Sequence, residues 1–210
     1  MQVTKYAHSC LRIDHDGGVL VVDPGVFGDA ARALDGADAV LITHEHPDHL
    51  DVEALTRRLE KNAVPVHGPA SLAAVLGDAA EALTPVTPGD SFTAAGIPVR
   101  VVGGRHAVIH PDIPVVENVG YLLDGRVYHP GDALHVPSGV EVDTLFAPVH
   151  APWSKFAEVV DFIRAVAPRR AYALHDGLLN AHGLGVLDRQ YTALSRTDYH
   201  RVEPGTRIDA

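Results

Sequence analysis

Short apolar runs that end at turn residues dominate the first part of the chain. Val3–Tyr6, Cys10–Asp14 and Val19–Val22 predict strands, with Asp16-Gly17-Gly18 as a turn between the last two. The pattern then changes, because Asp51–Glu60 places apolar residues at helical spacing behind Asp51, a suitable N-cap. The chain therefore combines β-hairpins with amphipathic helices.

Strand and helix patterns alternate through the rest of the chain. Further strands are predicted at Ala39–Thr43, Val64–His67, Leu83–Val86, Ser91–Ala94, Ile97–Val102, Val119–Leu123, Arg126–Tyr128, Val142–Ala147 and Ala171–Leu174. Further helices are predicted at Ala70–Leu76, Lys155–Ala167 and Gly185–Arg196. Two strand-rich blocks, each followed by helices, predict an α/β fold with two facing sheets and helices outside, in one domain over residues 1–210. Two loops, Gly103–Val116 and Val149–Lys155, are the segments expected to shape a substrate pocket, and the first is a candidate lid.

Composition limits the classes of protein that this chain could be. With 46% hydrophobic and 21% charged residues, the chain fits a globular protein with a full core. No apolar run reaches the ~20 residues of a membrane span, and the start lacks a secretory pattern. Cys10 is the only cysteine, so we expect a reducing, cytoplasmic setting. The formal net charge of −10 argues against nucleic-acid binding.

Histidine is the unusual component, with 14 residues, and it is the commonest metal ligand in proteins. The densest cluster is Thr43-His44-Glu45-His46-Pro47-Asp48-His49. At the end of a strand, His44 and His46 would project to the same side and share one ion, while Asp48 and His49 turn toward a neighbouring position. Imidazole and carboxylate together suit zinc, iron or manganese better than calcium or magnesium.

Further ligands are expected at loop tips that follow later strands. His106 follows the predicted strand at Ile97–Val102, and Asp132 lies just after the strand that ends at Tyr128. His175 directly follows the apolar strand Ala171–Leu174. Each of these residues taken alone is as compatible with a surface position as with a metal site, but their order behind the histidine cluster favours a metal site.

The pattern of His44-x-His46-x-Asp48-His49, then His106, Gly131-Asp132 and His175, resembles the metallo-β-lactamase superfamily. The strand-start segments His8–Ile13 and Val22-Asp23-Pro24 extend this resemblance toward the N-terminus. Asn118–Tyr121 and Tyr128–Asp132 are similar to the L-ascorbate-6-phosphate lactonase-like branch. The resemblance implies an αββα four-layer sandwich with a metal site at the shared edge of its two sheets.

The resemblance also implies a ligand set for two divalent ions, most simply Zn²⁺, with Mn²⁺ or iron as alternatives. His44, His46 and His106 would hold the first ion. Asp48, His49 and His175 would hold the second, and Asp132 would bridge them. A water between the ions would deprotonate near neutral pH and attack a carbonyl or phosphoryl centre, with Asp48 orienting the nucleophile or accepting its proton.

Several other residues are candidates for supporting roles. His8, Asp23 and His129 are candidates for orienting ligands; the alternatives are a hydrogen-bonded core histidine for His8 and a turn carboxylate for Asp23. Arg105 adjoins His106 and would hold an anionic substrate group. Trp153 is either an apolar wall of the substrate pocket or a core anchor.

These observations favour a metal-dependent hydrolase of a small-molecule lactone or phosphate ester. Two alternatives stay open: an iron-dependent oxygenase with the same fold, because ligand types do not dictate the metal, and a non-catalytic module that binds metal or ligand. No nucleic-acid or membrane partner is expected. The branch resemblance allows a homo-oligomer.

Overall fold

The two predicted sheets form, and each contains seven strands. The computed structural model describes residues 1–210. The first sheet has the order β14-β1-β2-β3-β4-β5-β6 and comprises β1 (Gln2–Lys5), β2 (Leu11–His15), β3 (Gly18–Val22), β4 (Ala39–Leu41), β5 (Val66–Gly68), β6 (Leu83–Pro85) and β14 (Thr206–Asp209). The second has the order β13-β12-β11-β10-β9-β8-β7 and comprises β7 (Ser91–Ala94), β8 (Ile97–Gly103), β9 (Val119–Leu123), β10 (Val127–His129), β11 (Thr144–Pro148), β12 (Arg170–Leu174) and β13 (Asp198–His200).

Five α-helices cover the outer faces of the sheets. They are α1 (Ala30–Leu34), α2 (Val52–Lys61), α3 (Ala73–Leu76), α4 (Phe156–Val166) and α5 (Ala181–Leu194), with 3-10 helices at Ala70–Leu72 and Gly77–Ala82. As predicted, the side chain of Asp51 caps α2 by accepting a hydrogen bond from the backbone of Ala54. None of the helices combines the length and the apolar character that crossing a bilayer requires.

Alternation along the strands explains why the helices and sheets stack in four layers. In β3, Leu20 and Val22 belong to the apolar core between the two sheets, whereas Val21 belongs to the core under α1 and α2. A third core packs α4 and α5 against the second sheet through residues such as Ile163 and Tyr191. Strands buried on both faces read as continuous apolar runs, as these do. The predicted αββα sandwich is therefore confirmed.

Several element boundaries differ from the sequence-based predictions. The strand predicted at Ala39–Thr43 ends at Leu41, and the helix predicted at Ala70–Leu76 is a 3-10 turn followed by one α-helical turn. The last helix begins at Ala181 rather than Gly185, because the Asn180 side chain caps it and outweighs the low helix propensity of Gly183.

Besides the 3-10 helix at Gly77–Ala82, one α-helix and two strands are missing from the predictions. The short helix α1 has only one turn and depends on a cap, in which the Asp29 side chain accepts from the backbone of Arg32. The edge strands β13 and β14 each bury a single side chain, Tyr199 and Ile208. With so little apolar pattern, these segments give no strand signal, and pairing with β12 and β1 forms them.

Candidate metal centre

Loops from both sheets converge at one edge of the sandwich. The strands β3 and β4 are parallel, and so are β10, β11 and β12, so that their carboxyl ends point to the same edge. The segments after β3, β4, β8, β10 and β12 carry the predicted ligands and their neighbours. The structure brings together all seven predicted ligands: His44, His46, Asp48, His49, His106, Asp132 and His175.

The potential ligand atoms fall into three overlapping groups in which all atoms lie within 4.8 Å of one another. The first group is His44, His46 and His106, and the second is His8, Asp48, His49 and His175. The third is His44, His49 and Asp132. The first two groups contain the histidines and Asp48 that the resemblance implies for each ion, with His8 added to the second, and the third group links them through Asp132.

Asp132 lies at the junction of the two groups. Its Oδ1 is 3.1 Å from Nε2 of His49, and its Oδ2 lies 3.3 Å from Nε2 of His106 and 3.1 Å from Nε2 of His175. In the first group, Nε2 of His44 is 3.1 Å from Nδ1 of His46. The Asp132 carboxylate thus lies within 3.3 Å of imidazole nitrogens from both groups.

Three of these atoms show that the site fits a metal. Nε2 of His106, Nε2 of His175 and Oδ1 of Asp132 are buried without a hydrogen-bond partner. Buried polar atoms are normally satisfied, so three atoms of one cluster that lack a hydrogen bond require an explanation. Divalent ions bound in this cluster would give these atoms partners, and neutral imidazoles with carboxylates are a donor set that suits zinc, iron or manganese.

Hydrogen bonds on the far side of each ring turn the ligand nitrogens toward this centre. Nδ1 of His175 donates to the carbonyl of His150 at 2.7 Å, and Nδ1 of His106 donates to the carbonyl of Ala107. Nδ1 of His49 donates to Oδ2 of Asp23 at 2.7 Å. In the neutral imidazole, each bond places the proton on Nδ1 and leaves the Nε2 lone pair for an ion.

Asp23 organises two of the imidazoles from a fully buried position. Its carboxylate accepts from the backbone N–H of Thr43 at 2.8 Å and from the Thr43 hydroxyl at 2.7 Å, besides His49. Because the hydroxyl proton is used in this way, Oγ1 of Thr43 accepts from Nδ1 of His44 at 3.0 Å. Asp23 thus orients His49 directly and His44 through Thr43, a residue that sequence analysis did not single out.

His8 and His129 also contact the centre or its supporting loop. Nδ1 of His8 accepts from the backbone N–H of Gly177, so its Nε2 donates to Oδ2 of Asp48 at 3.0 Å. His129 accepts from the backbone N–H of Gly131 and donates to the carbonyl of Ser9. His8 therefore touches a predicted ligand, whereas His129 holds the loop that precedes Asp132.

Asn118 fixes this same loop by a second route. Its side-chain oxygen accepts from the backbone N–H of Asp132 at 2.9 Å, and its amide donates to the carbonyl of Pro130 at 3.0 Å. Gly131 adopts φ +62°, and a Cβ there would lie 2.3 Å from the Asn118 side chain. Only glycine meets both requirements, so the Gly131-Asp132 pair is explained by packing as well as by chemistry.

A cavity of about 350 Å³, which we call the cleft, opens above the predicted ligands. His46, Asp48, His106, Asp132 and His175 all line it. Trp153 lines it too, and its indole N–H donates to Oδ2 of Asp132 at 2.9 Å, so Trp153 is not only an apolar wall. Arg105, by contrast, is exposed and does not line the cleft.

Burial and neighbouring charges shift the pKa values of the clustered groups in opposite directions. Burial lowers the pKa of His175, but the carboxylates of Asp132 and Asp48 outweigh it and raise this pKa to about 9. Burial alone would lower the pKa of His49 as well, but the carboxylates of Asp132 and Asp23 outweigh burial and hold this pKa well above its usual range. The pKa of His44 lies well below the usual range because of burial and the adjacent His49. Without metal, His49 and His175 therefore carry protons at neutral pH, and His44 does not.

Metal binding is accordingly expected to release about two protons per chain near pH 7, one each from His49 and His175. Metal affinity should rise with pH toward 9, the pKa of His175. Conversely, the ion pairs of His175 stabilise the metal-free protein fully below pH 6.5, and this contribution disappears as pH rises through about 9. Calorimetric metal titration in buffers of different ionisation enthalpy measures the protons released, and a value of zero would contradict this protonation scheme.

Comparisons with known proteins agree with this geometry. A family described as the β-lactamase superfamily domain matches residues 2–175. A Mycobacterium tuberculosis protein is 43% identical over 205 residues, which cover 95% of each chain. A UPF0173 metal-dependent hydrolase of Roseobacter denitrificans is 32% identical over 141 residues, 61% of this chain and 60% of that one. The structure of Igni18, a metallo hydrolase from Ignicoccus hospitalis, is 15% identical in sequence and superposes with a TM-score of 0.75. The match covers 99% of this chain and 97% of that chain, so the two proteins share a fold.

Proposed function

We propose that this protein is a metal-dependent hydrolase of a small molecule. The chain belongs to the β-lactamase superfamily, and within it the ligand pattern is that of the metallo-β-lactamases. The observation that supports this most strongly is the set of buried, unpaired ligand atoms around Asp132. A complete set of candidate ligands that faces an open cleft favours a catalytic site over a non-catalytic module.

We further propose that the site holds two divalent ions. His44, His46 and His106 would hold the first ion, and Asp48, His49 and His175 the second. The Asp132 carboxylate would contact both ions, because its oxygens lie close to imidazoles of both groups. When bound, such ions lower the pKa of a water molecule to near neutrality and polarise the carbonyl or phosphoryl oxygen of the substrate.

The protein's own groups would hold and orient the reactants. His8 donates to Oδ2 of Asp48, and with His175 it outweighs the effect of burial and holds the pKa of Asp48 below its usual range. A carboxylate with such a low pKa is a weak proton acceptor, so Asp48 is better suited to orienting the nucleophile than to taking its proton. Trp153 donates to Oδ2 of Asp132 and restrains this carboxylate between the two groups.

Removal of metal provides the test of this function. Hydrolysis of activated esters and phosphate esters should fall to the background rate after treatment with a chelator and recover when zinc or manganese is added. Trp153 is the only tryptophan and touches Asp132, so its fluorescence should change as the metal returns. Far-ultraviolet circular dichroism serves as the control for folding. Hydrolysis that continues at full rate in metal-free protein would rule out the proposed function.

A further inference from the structure

On the basis of the proposed hydrolase function, we infer that the cleft accepts a neutral ester or lactone whose group beside the scissile bond is apolar. This narrows the substrate class, because it excludes molecules that carry a phosphate or carboxylate away from the reacting bond. Three features of the cleft lead to this inference: its apolar wall, its lack of cationic side chains and its size.

Apart from the predicted ligands and Pro47, the residues that line the cleft form an apolar wall. It is formed by Val26, Phe27, Ile109, Pro152, Trp153 and Leu178. Three of these side chains are strongly exposed, with Val26 at 49%, Phe27 at 47% and Leu178 at 45%. Single exposed apolar residues are ordinary, but several around one cavity that also holds the reactive groups are typical of a binding site for apolar ligands.

No lysine or arginine lines the cleft. Its only charged or titratable residues are the predicted metal ligands, among them the carboxylates of Asp48 and Asp132. Any ions bound there would engage the reacting carbonyl group. No cationic partner would then remain for an anionic group elsewhere on the substrate. Burying an unpaired charge is costly, so a remote phosphate or carboxylate would weaken binding. Arg105, the residue that sequence analysis assigned to an anionic group, lies outside the cleft.

The cavity of about 350 Å³ lies near the lower end of the range for small-molecule sites. The reaction expected there is simple hydrolysis of an acyl C–O bond. The water oxygen bonds to the carbonyl carbon and the bond to the leaving oxygen breaks. One water proton ends on the departing alcohol, and the other is released from the carboxylic acid product. No oxidant, reductant or second substrate is required.

A matched pair of esters tests this inference in the metal-loaded protein. The acyl groups of 4-nitrophenyl butyrate and 4-nitrophenyl hemisuccinate have similar size, but only the second ends in a carboxylate. We expect kcat/KM to be at least roughly tenfold higher for the butyrate. From the acetate to the butyrate, kcat/KM should rise about fourfold per methylene, the factor that burial of one CH₂ provides.

Variants of the wall connect this preference to the cleft. Leu178→Ser and Phe27→Ser should each flatten the dependence on acyl length while leaving the metal content unchanged. Leu194→Ser is the matched control, because Leu194 is an exposed leucine of similar accessibility, 42%, in α5 and outside the cleft. This control should retain the chain-length dependence of the unmodified protein.

The outcomes separate the two proposals. Equal or faster hydrolysis of the hemisuccinate, or chelator-sensitive hydrolysis of 4-nitrophenyl phosphate alone, would overturn the apolar substrate class and leave the hydrolase function in place. Absence of chelator-sensitive turnover on all of these substrates, in protein shown to contain metal, would overturn both proposals. A chain-length dependence that persists in Leu178→Ser and Phe27→Ser would also overturn the assignment to this wall.

Discussion

Asp132→Ala is expected to lower kcat/KM by roughly a thousandfold or more and to reduce bound metal to at most one ion per chain. Asp132 is the one carboxylate whose two oxygens approach different imidazoles, Oδ1 at 3.1 Å from His49 and Oδ2 at 3.3 Å from His106. Without it, no anion lies between two proposed ion positions to reduce their repulsion. Elemental analysis and ester hydrolysis on the same preparation measure both effects.

Two further variants make this result interpretable. Asp132→Asn keeps the shape of the side chain and removes its charge, so loss of metal in this variant isolates the electrostatic contribution. Asp143→Ala removes a carboxylate that pairs with Arg169 and Arg170 away from the cleft, and it should leave metal content and turnover unchanged. An Asp132→Ala protein that retains two ions or the full rate would refute the bridging role.

Asp23→Ala is expected to have the second largest effect, although Asp23 belongs to none of the three ligand groups. The variant leaves three buried donors without their acceptor: the Thr43 backbone N–H, the Thr43 hydroxyl and the Nδ1–H of His49. Loss of one partner of a buried charged network costs about 3–5 kcal/mol. Loss of the group that orients a ligand lowers metal affinity by roughly 10–100-fold.

Unfolding experiments and metal titrations distinguish these two consequences of changing Asp23. Asp23→Asn retains an acceptor for the Thr43 backbone but places a neutral amide against His49. Its metal affinity should therefore fall clearly, while its free energy of unfolding should fall less. Asp38→Asn is a matched control, since Oδ2 of Asp38 accepts from the Val19 backbone at 2.9 Å without contacting an imidazole. Metal affinity that is unchanged in Asp23→Asn would show that Asp23 does not orient its imidazoles.

The candidate ligands could be predicted from sequence because their residue types and order are distinctive. The geometric reasoning for His44 and His46 was nevertheless wrong in one respect, since β4 ends at Leu41 and both residues lie in the irregular segment after it. The two rings still meet, with Nε2 of His44 3.1 Å from Nδ1 of His46, because the loop rather than strand alternation directs them. The resemblance to the L-ascorbate-6-phosphate lactonase-like branch, the choice of zinc and the cytoplasmic location stay predictions.

Long-range contacts explain what sequence analysis could not supply. Asp23 and Thr43 are distant in the chain, and they meet because parallel β3 and β4 end at the same edge. Trp153 reaches Asp132 from a loop of the second sheet, a contact that no local pattern indicates. Arg105 shows the opposite case, because adjacency to His106 in sequence does not place it in the cleft.

The metal content per chain tests the dinuclear centre most directly. Protein purified without chelator should contain about two equivalents of zinc, manganese or iron by elemental analysis. The identity of the metal also bears on the reaction, because iron would favour the alternative oxygenase chemistry over hydrolysis. A content near zero that added metal does not restore would contradict the dinuclear centre, and the proposed hydrolysis would fall with it.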